Sequence, residues 1–96
     1  MLDAKQWLDV FPALDNPTRF NILIYLSNEG RQPFTAVKTQ FNLQSSTTQH
    51  HLDKLMGANL IVNSYQTPTE TNGIYSYYEL TERGKEVLQT LLPRNP

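Results

Sequence analysis

The run Ser45-Ser46-Thr47-Thr48-Gln49-His50-His51 sets hydroxyls, a carboxamide and two imidazoles side by side ahead of Leu52 and Leu55. Side chains of these types recognise by hydrogen bonding: Gln can pair with adenine through both of its amide groups, and Ser or Thr can meet base edges or phosphate oxygens. Ser45, Ser46, Thr47 and Gln49 are therefore candidates for contact with nucleic acid, with a plain solvated helix face as the bland alternative. His50 and His51 suggest a metal pair at first sight. Adjacent residues on a helix point about 100° apart, however, and no third ligand stands at suitable spacing, so no metal is expected. His50 is instead placed near phosphate and His51 in a partly buried, supporting position. Catalysis finds no support either. There is no nucleophile elbow, no phosphate-cradling Gly-rich loop and no metal-binding helix pattern, and the acidic residues are scattered; neither an enzyme nor a bound cofactor is expected.

The charge total of −1 speaks against a polyanionic partner, since phosphate binding runs on Lys and Arg. Its distribution speaks differently. Residues 1–30 hold two basic and four acidic side chains and residues 55–96 hold three and four, whereas the middle carries Arg31, Lys38 and Lys54 against Asp53 alone. Each of these three cations either neutralises a phosphate or merely solubilises the chain. Arg19 is set apart from them, because Asp15 one turn away suggests a structural ion pair.

Elements to position these groups can be read from caps and periodicity. Asp3 precedes Trp7, Leu8 and Phe11 at helical spacing, predicting a first helix that Pro12 helps to end. Asn16 and Pro17 suit the cap and first position of a second helix, whose apolar stripe of Phe20, Leu23, Ile24 and Ser27, flanked by Ile22 and Leu26, stops at Gly30. Thr35 is expected to cap a short third helix with Val37 and Phe41 inward. After the turn Asn42-Leu43-Gln44, a fourth helix capped by Gln44 or Ser45 reaches about Ala58, burying Thr48, Leu52 and Leu55; Asn59 suits a left-handed stop. Residues 60–65 and 74–80 are rich in β-branched and aromatic types around a Pro68, Asn72 and Gly73 turn, which predicts a hairpin with its tyrosines partly core and partly outward. Thr81 caps a last helix with Val87, Leu88, Leu91 and Leu92 as its stripe, ended by Pro93.

A short helix, a tight turn, a longer helix and then a ribbon is a specific order. It lets the second helix of the pair lie in a DNA major groove while the first braces it. The segments Leu14 to Leu23, Leu43 to Ile61 and Tyr78 to Gly84 resemble the first core helix, the recognition helix with its exit, and the strand-to-helix junction of winged helix-turn-helix regulators of the ArsR type. The resemblance covers roughly residues 14–92 and implies sequence-selective binding of double-stranded DNA by a homodimer joined through its terminal helices. The metal-sensing members of that family carry cysteines in the helix matching Thr35 to Phe41; this chain has no cysteine, which removes that kind of sensing. The family commonly has Gly where Asn59 stands and a small capping residue where Gln44 stands. From Leu55 to Glu82 there is no Lys or Arg, so the wing lacks the family's usual basic contacts.

The fold expected is α+β and mostly α: a three-helix core and a two-stranded β wing within one domain spanning 1–96, divided into an N-terminal helix at 1–13, a core at 14–81 and a C-terminal helix at 82–92. Trp7, Phe11, Leu88, Leu91 and Leu92 exceed the needs of one small core and are candidates for a subunit interface, with packing inside the monomer as the alternative. The function expected is a dimeric, repressor-like transcriptional regulator that reads the major groove with the helix from about Ser45 to Ala58; its rival is a protein-interaction module with little DNA affinity, favoured by the acidic balance and uncharged wing. A small-molecule effector at the dimer interface is a third reading that no residue specifically supports. The longest apolar run, Ile22 to Leu26, is far too short for a bilayer, and no leader pattern opens the chain, so a cytoplasmic protein without a membrane partner is expected.

Overall fold

The computed structural model describes residues 1–66 and 75–92. The chain starts with α1, Ala4–Leu14, whose N-terminus is closed by a reciprocal pair: Gln6 N–H donates to Asp3 Oδ1 at 2.8 Å and Asp3 N–H donates to Gln6 Oε1 at 2.9 Å. Pro12 does not end this helix but lies inside it. The Pro12 and Ala13 carbonyls, which have no partner within the helix, accept hydrogen bonds from a side chain of the next helix, which holds the last turn of α1 in place beyond the proline.

Helix α2, Pro17–Glu29, begins as its cap residues predict, with Asn16 Oδ1 accepting from Arg19 N–H at 3.0 Å. It ends at Gly30, whose φ of 78° is open to glycine and strained for other residues. Its buried stripe is Arg19, Ile22, Leu23 and Leu26; Phe20 and Ile24 flank it and Ser27 is exposed, so the inward direction is rotated from the expected one. Two residues that the sequence reading left irregular, Gln32–Pro33, form a short strand, β1. Pro33 also stands as the extended residue before α3, Phe34–Gln40, so Thr35 is exposed inside the helix and does not cap it.

Asn42, at φ 52°, turns the chain into α4, Ser45–Gly57, and Asn59, at φ 61°, turns it out again as expected of an Asn in that region. Strand β2, Ile61–Gln66, then pairs antiparallel with β3, Tyr75–Leu80, from Ile61 opposite Leu80 to Gln66 opposite Tyr75. The sheet order is β1-β3-β2, with Gln32 opposite Tyr78. The turn assigned to Pro68, Asn72 and Gly73, the start of the second strand at Ile74 and the stop at Pro93 lie outside the described residues.

Helix α5, Glu82–Leu91, is capped by Thr81, which accepts from Gly84 N–H at 3.0 Å while its own hydroxyl donates to Asn59 O at 2.6 Å. Among the described residues a core joins Val10, Ile22, Leu23, Leu26, Val37, Leu52, Leu55, Leu60, Ile61, Tyr78 and Val87, drawn from every helix and both hairpin strands. At the base of the hairpin α5 passes directly over the exit of α4. A Cβ built on Gly84 collides with the Leu60 carbonyl, a backbone atom that cannot swing aside. Gly84→Ala is accordingly expected to lower the unfolding free energy by roughly 2 kcal/mol, read as a drop in denaturant midpoint at unchanged slope.

Candidate nucleic-acid interface

Helix α4 holds its place through Thr48, His51, Leu52 and Leu55, all buried. A step of about 100° per residue puts Ser46, Gln49, His50, Asp53 and Gly57 on the opposite side. All five are exposed, as are Ser45, Thr47 and Lys54 on the flanks. The polar opening of α4 thus projects from the molecule while leucines anchor it from behind.

The N-terminus of this helix is left open. Gln44 is its extended flanking residue, but neither Gln44 nor Ser45 makes a side-chain capping bond. Instead Gln44 O accepts from both the Thr48 amide and the Thr48 hydroxyl, each at 2.9 Å. The first amide N–H groups of α4 therefore face outward with no side-chain acceptor, where the positive end of the helix dipole favours an anion such as phosphate.

Behind the exposed face lies a network that sequence spacing misassigned. Arg19 does not pair with Asp15. The residue is 8% exposed, and its guanidinium donates to Pro12 O at 3.2 Å, to Ala13 O at 2.9 Å and, through Nε, to His51 Nδ1 at 3.4 Å. An arginine has no acceptor to offer, so His51 must keep the lone pair on Nδ1 and carry its proton on Nε2. The His51 pKa is accordingly held below the ordinary histidine value, first by burial and then by the charges of Arg19 and of the neighbouring His50. One cation thus ties the end of α1 and the start of α2 to the middle of α4. Arg83, which no sequence signal marked, does the same at the far end, donating to Ala58 O at 3.2 Å.

The remaining candidates divide. His50 and Lys54 line a shallow groove between α4 and α1 together with Asp9 and Asp53. The His50 and His51 rings stand 6.0 Å apart and tilted by 54°, and among the described residues no group of three metal-ligating side chains gathers. Lys38 is half-buried on α3 beside the fully buried Val37. Arg31 is not brought to this face. Its guanidinium lies over the Tyr77 ring at 5.4 Å, in a groove formed by the end of α2, the base of β3 and α5. Sequence reading also passed over Asp53 as a partner for Gln49. Gln49 Nε2 donates to Asp53 Oδ1 at 2.8 Å, a pairing that their spacing of four could have signalled.

The candidate interface residues also separate. Phe11 is 53% exposed and Trp7 is half-buried with its ring stacked on Phe11 at 5.4 Å, while Leu91 and Leu92 are 40% and 46% exposed. Leu88 is 7% exposed and fills the core, so its apolar area is already used within the monomer. Leu8, 69% exposed on α1, joins the outward set. The Met1 amino group lies 3.1 Å from Glu86 Oε1, which brings the start of the chain against α5.

Three core helices with an outward second helix of the pair, a β1-β3-β2 sheet and flanking terminal helices define a winged helix-turn-helix protein. No family model and no curated protein matches the sequence. Solved structures do. The transcriptional regulator homologue protein from Pyrococcus horikoshii superposes with a TM-score of 0.75 at 22% identity, over 85% of this chain and 79% of that one. The homodimeric winged helix-turn-helix DNA-binding domain from Mycobacterium bovis, a possible ArsR-family regulator, gives 0.74 at 23% identity over 91% and 75% of the two chains. A protein from Mycobacterium tuberculosis gives 0.66 at 28% identity, covering 88% of this chain and 56% of that one. Among the described residues no helix is long and apolar enough to cross a membrane.

Proposed function

We propose that the chain is a homodimeric regulator of transcription that binds double-stranded DNA sequence-selectively, each subunit placing the start of α4 in one major groove. The observation that carries this reading is the exposed, uncapped and polar opening of α4, held out from the core by Thr48, Leu52 and Leu55. Ser45, Ser46 and Thr47 are set for phosphate or base contacts, Gln49 for a base edge, and His50, Lys54 and Lys38 for phosphate. Arg31, packed on Tyr77 in the groove lined by α2, β3 and α5, is dropped from the set. The likeness to a Mycobacterium bovis domain described as homodimeric and DNA-binding supports the same reading. So does the outward apolar set on α1 and α5, which two subunits can cover in a symmetric pair.

Asp53 on the exposed face and the net acidity of the chain favour the rival, a protein-interaction module. Salt separates them. With Lys38 and Lys54 meeting phosphate in each of two subunits, the logarithm of affinity falls with that of salt at a slope of about −3.6, so raising salt from about 50 to about 200 mM weakens duplex binding on the order of a hundredfold. Fluorescence anisotropy with a labelled duplex reads this directly. Binding that is absent at low salt, or indifferent to it, overturns the proposal.

A further inference from the structure

We infer that Asp53 is a specificity-determining residue, acting with Gln49 as one hydrogen-bonded unit that selects a cytosine beside an adenine; the inference rests on the DNA-binding reading above. A carboxylate at the centre of a face offered to DNA repels phosphate, so its presence there calls for a partner on the bases rather than on the backbone. The two side chains sit one turn apart on the outward side of α4, both exposed, and Gln49 Nε2 donates to Asp53 Oδ1 at 2.8 Å. A carboxylate only accepts, so this bond decides which end of the Gln49 amide faces Asp53. It uses one N–H. The other N–H and Oε1 stay free side by side, the donor and acceptor pair that matches adenine N7 and N6 in the major groove.

Asp53 keeps its second oxygen. Among the described residues no other side chain donates to this carboxylate. In the major groove cytosine presents an N4 donor, whereas guanine presents N7 and O6 and thymine presents O4, all acceptors that an oxyanion repels. An adenine at the neighbouring position would set its N7 acceptor beside N6, against the carboxylate, so cytosine is the base whose edge satisfies Asp53. The hydrogen bond holds the two tips side by side, within reach of neighbouring bases that stack about 3.4 Å apart on one strand. The unit therefore reads adjacent base pairs. It also explains how a helix with a carboxylate on its exposed side can serve DNA, since charge repulsion lowers non-specific affinity while the cytosine contact restores the specific one.

Selection of bound duplexes from a random pool by the full chain tests this. The wild-type protein is expected to enrich sites with adenine and cytosine at adjacent positions of each half-site. Asp53→Asn is expected to lose discrimination for cytosine at its position by about tenfold or more while keeping the adenine. Gln49→Ala is expected to lose the adenine preference and, with the carboxylate released, to loosen the cytosine preference too. Asp53→Asn that binds every duplex more tightly with an unchanged base preference overturns the inference, leaving Asp53 an electrostatic brake alone. A wild-type protein that retains no duplex at low salt overturns the DNA-binding reading itself, a result that altered base preference cannot mimic.

Discussion

Arg19→Ala is expected to lower the unfolding free energy by about 3 to 4 kcal/mol, because it strips the donor from three acceptors at once. Pro12 O and Ala13 O close the last turn of α1, and His51 Nδ1 lies inside the contact between α2 and α4. Arg19 is 8% exposed and its bonds to Ala13 O and His51 Nδ1 are buried, so those two acceptors lose their bonds without full replacement by water. Arg19→Lys keeps a charge but not the planar fork and is expected to recover only part of the loss. The same contact sets a pH dependence. His51 has its pKa lowered on folding, so the unfolded chain binds more protons in the window between the folded value and about 6.5, and stability rises with pH there. The contribution is complete above that window and is lost as pH falls through the folded value. Arg19→Ala removes the second cause of the shift and leaves burial, the first, so the dependence should narrow without vanishing. Urea midpoints for wild type and variant between about pH 5 and pH 8 measure both effects. A variant of unchanged midpoint would dismiss the network as incidental.

The elements that sequence reading found share a cause: each is bounded by a local signal that tertiary packing left intact. Asn16-Pro17, Gly30, Asn59 and Thr81 act through their own backbone or through a residue three positions on, and the structure keeps all four in those roles. Where the reading failed, a distant group had taken over. The turn of α1 beyond Pro12 is held by Arg19, seven residues later, which donates to the Pro12 and Ala13 carbonyls. Strand β1 has only Gln32 and Pro33, neither a strand-forming type, and exists because Tyr77 and Tyr78 supply its partner. The outward face of α4 was legible, since burying Thr48, Leu52 and Leu55 dictates what remains outside. The position of Arg31 was not, because a net-positive segment of sequence need not be a positive patch in space: Arg31 lies over Tyr77 in the groove beside α5, whereas Lys54 lies in the groove beside α1.

Leu8→Ala combined with Phe11→Ala is expected to raise the dimer dissociation constant on the order of a thousandfold. In a symmetric pair each side chain is buried twice, so any loss doubles. Leu8 and Phe11 expose 69% and 53% in the monomer. Covering that much of two large side chains is worth about 1 kcal/mol each, or about 4 kcal/mol over both subunits, and each 1.4 kcal/mol or so is a factor of ten. These residues are chosen over Leu88 because its side chain already fills the monomer core, where truncation would unfold the chain and say nothing about pairing. Sedimentation equilibrium measures the dissociation constant, and an unchanged thermal midpoint of the separated subunits shows that the fold survives. On the proposed function the consequence reaches DNA. A monomer offers one copy of α4 and half the lysines, so the slope of affinity against salt should fall by about half and the half-site symmetry of selected duplexes should disappear. A variant that remains dimeric at all concentrations would move the interface away from α1. Full duplex affinity retained by a monomer would instead show that one helix in one groove suffices.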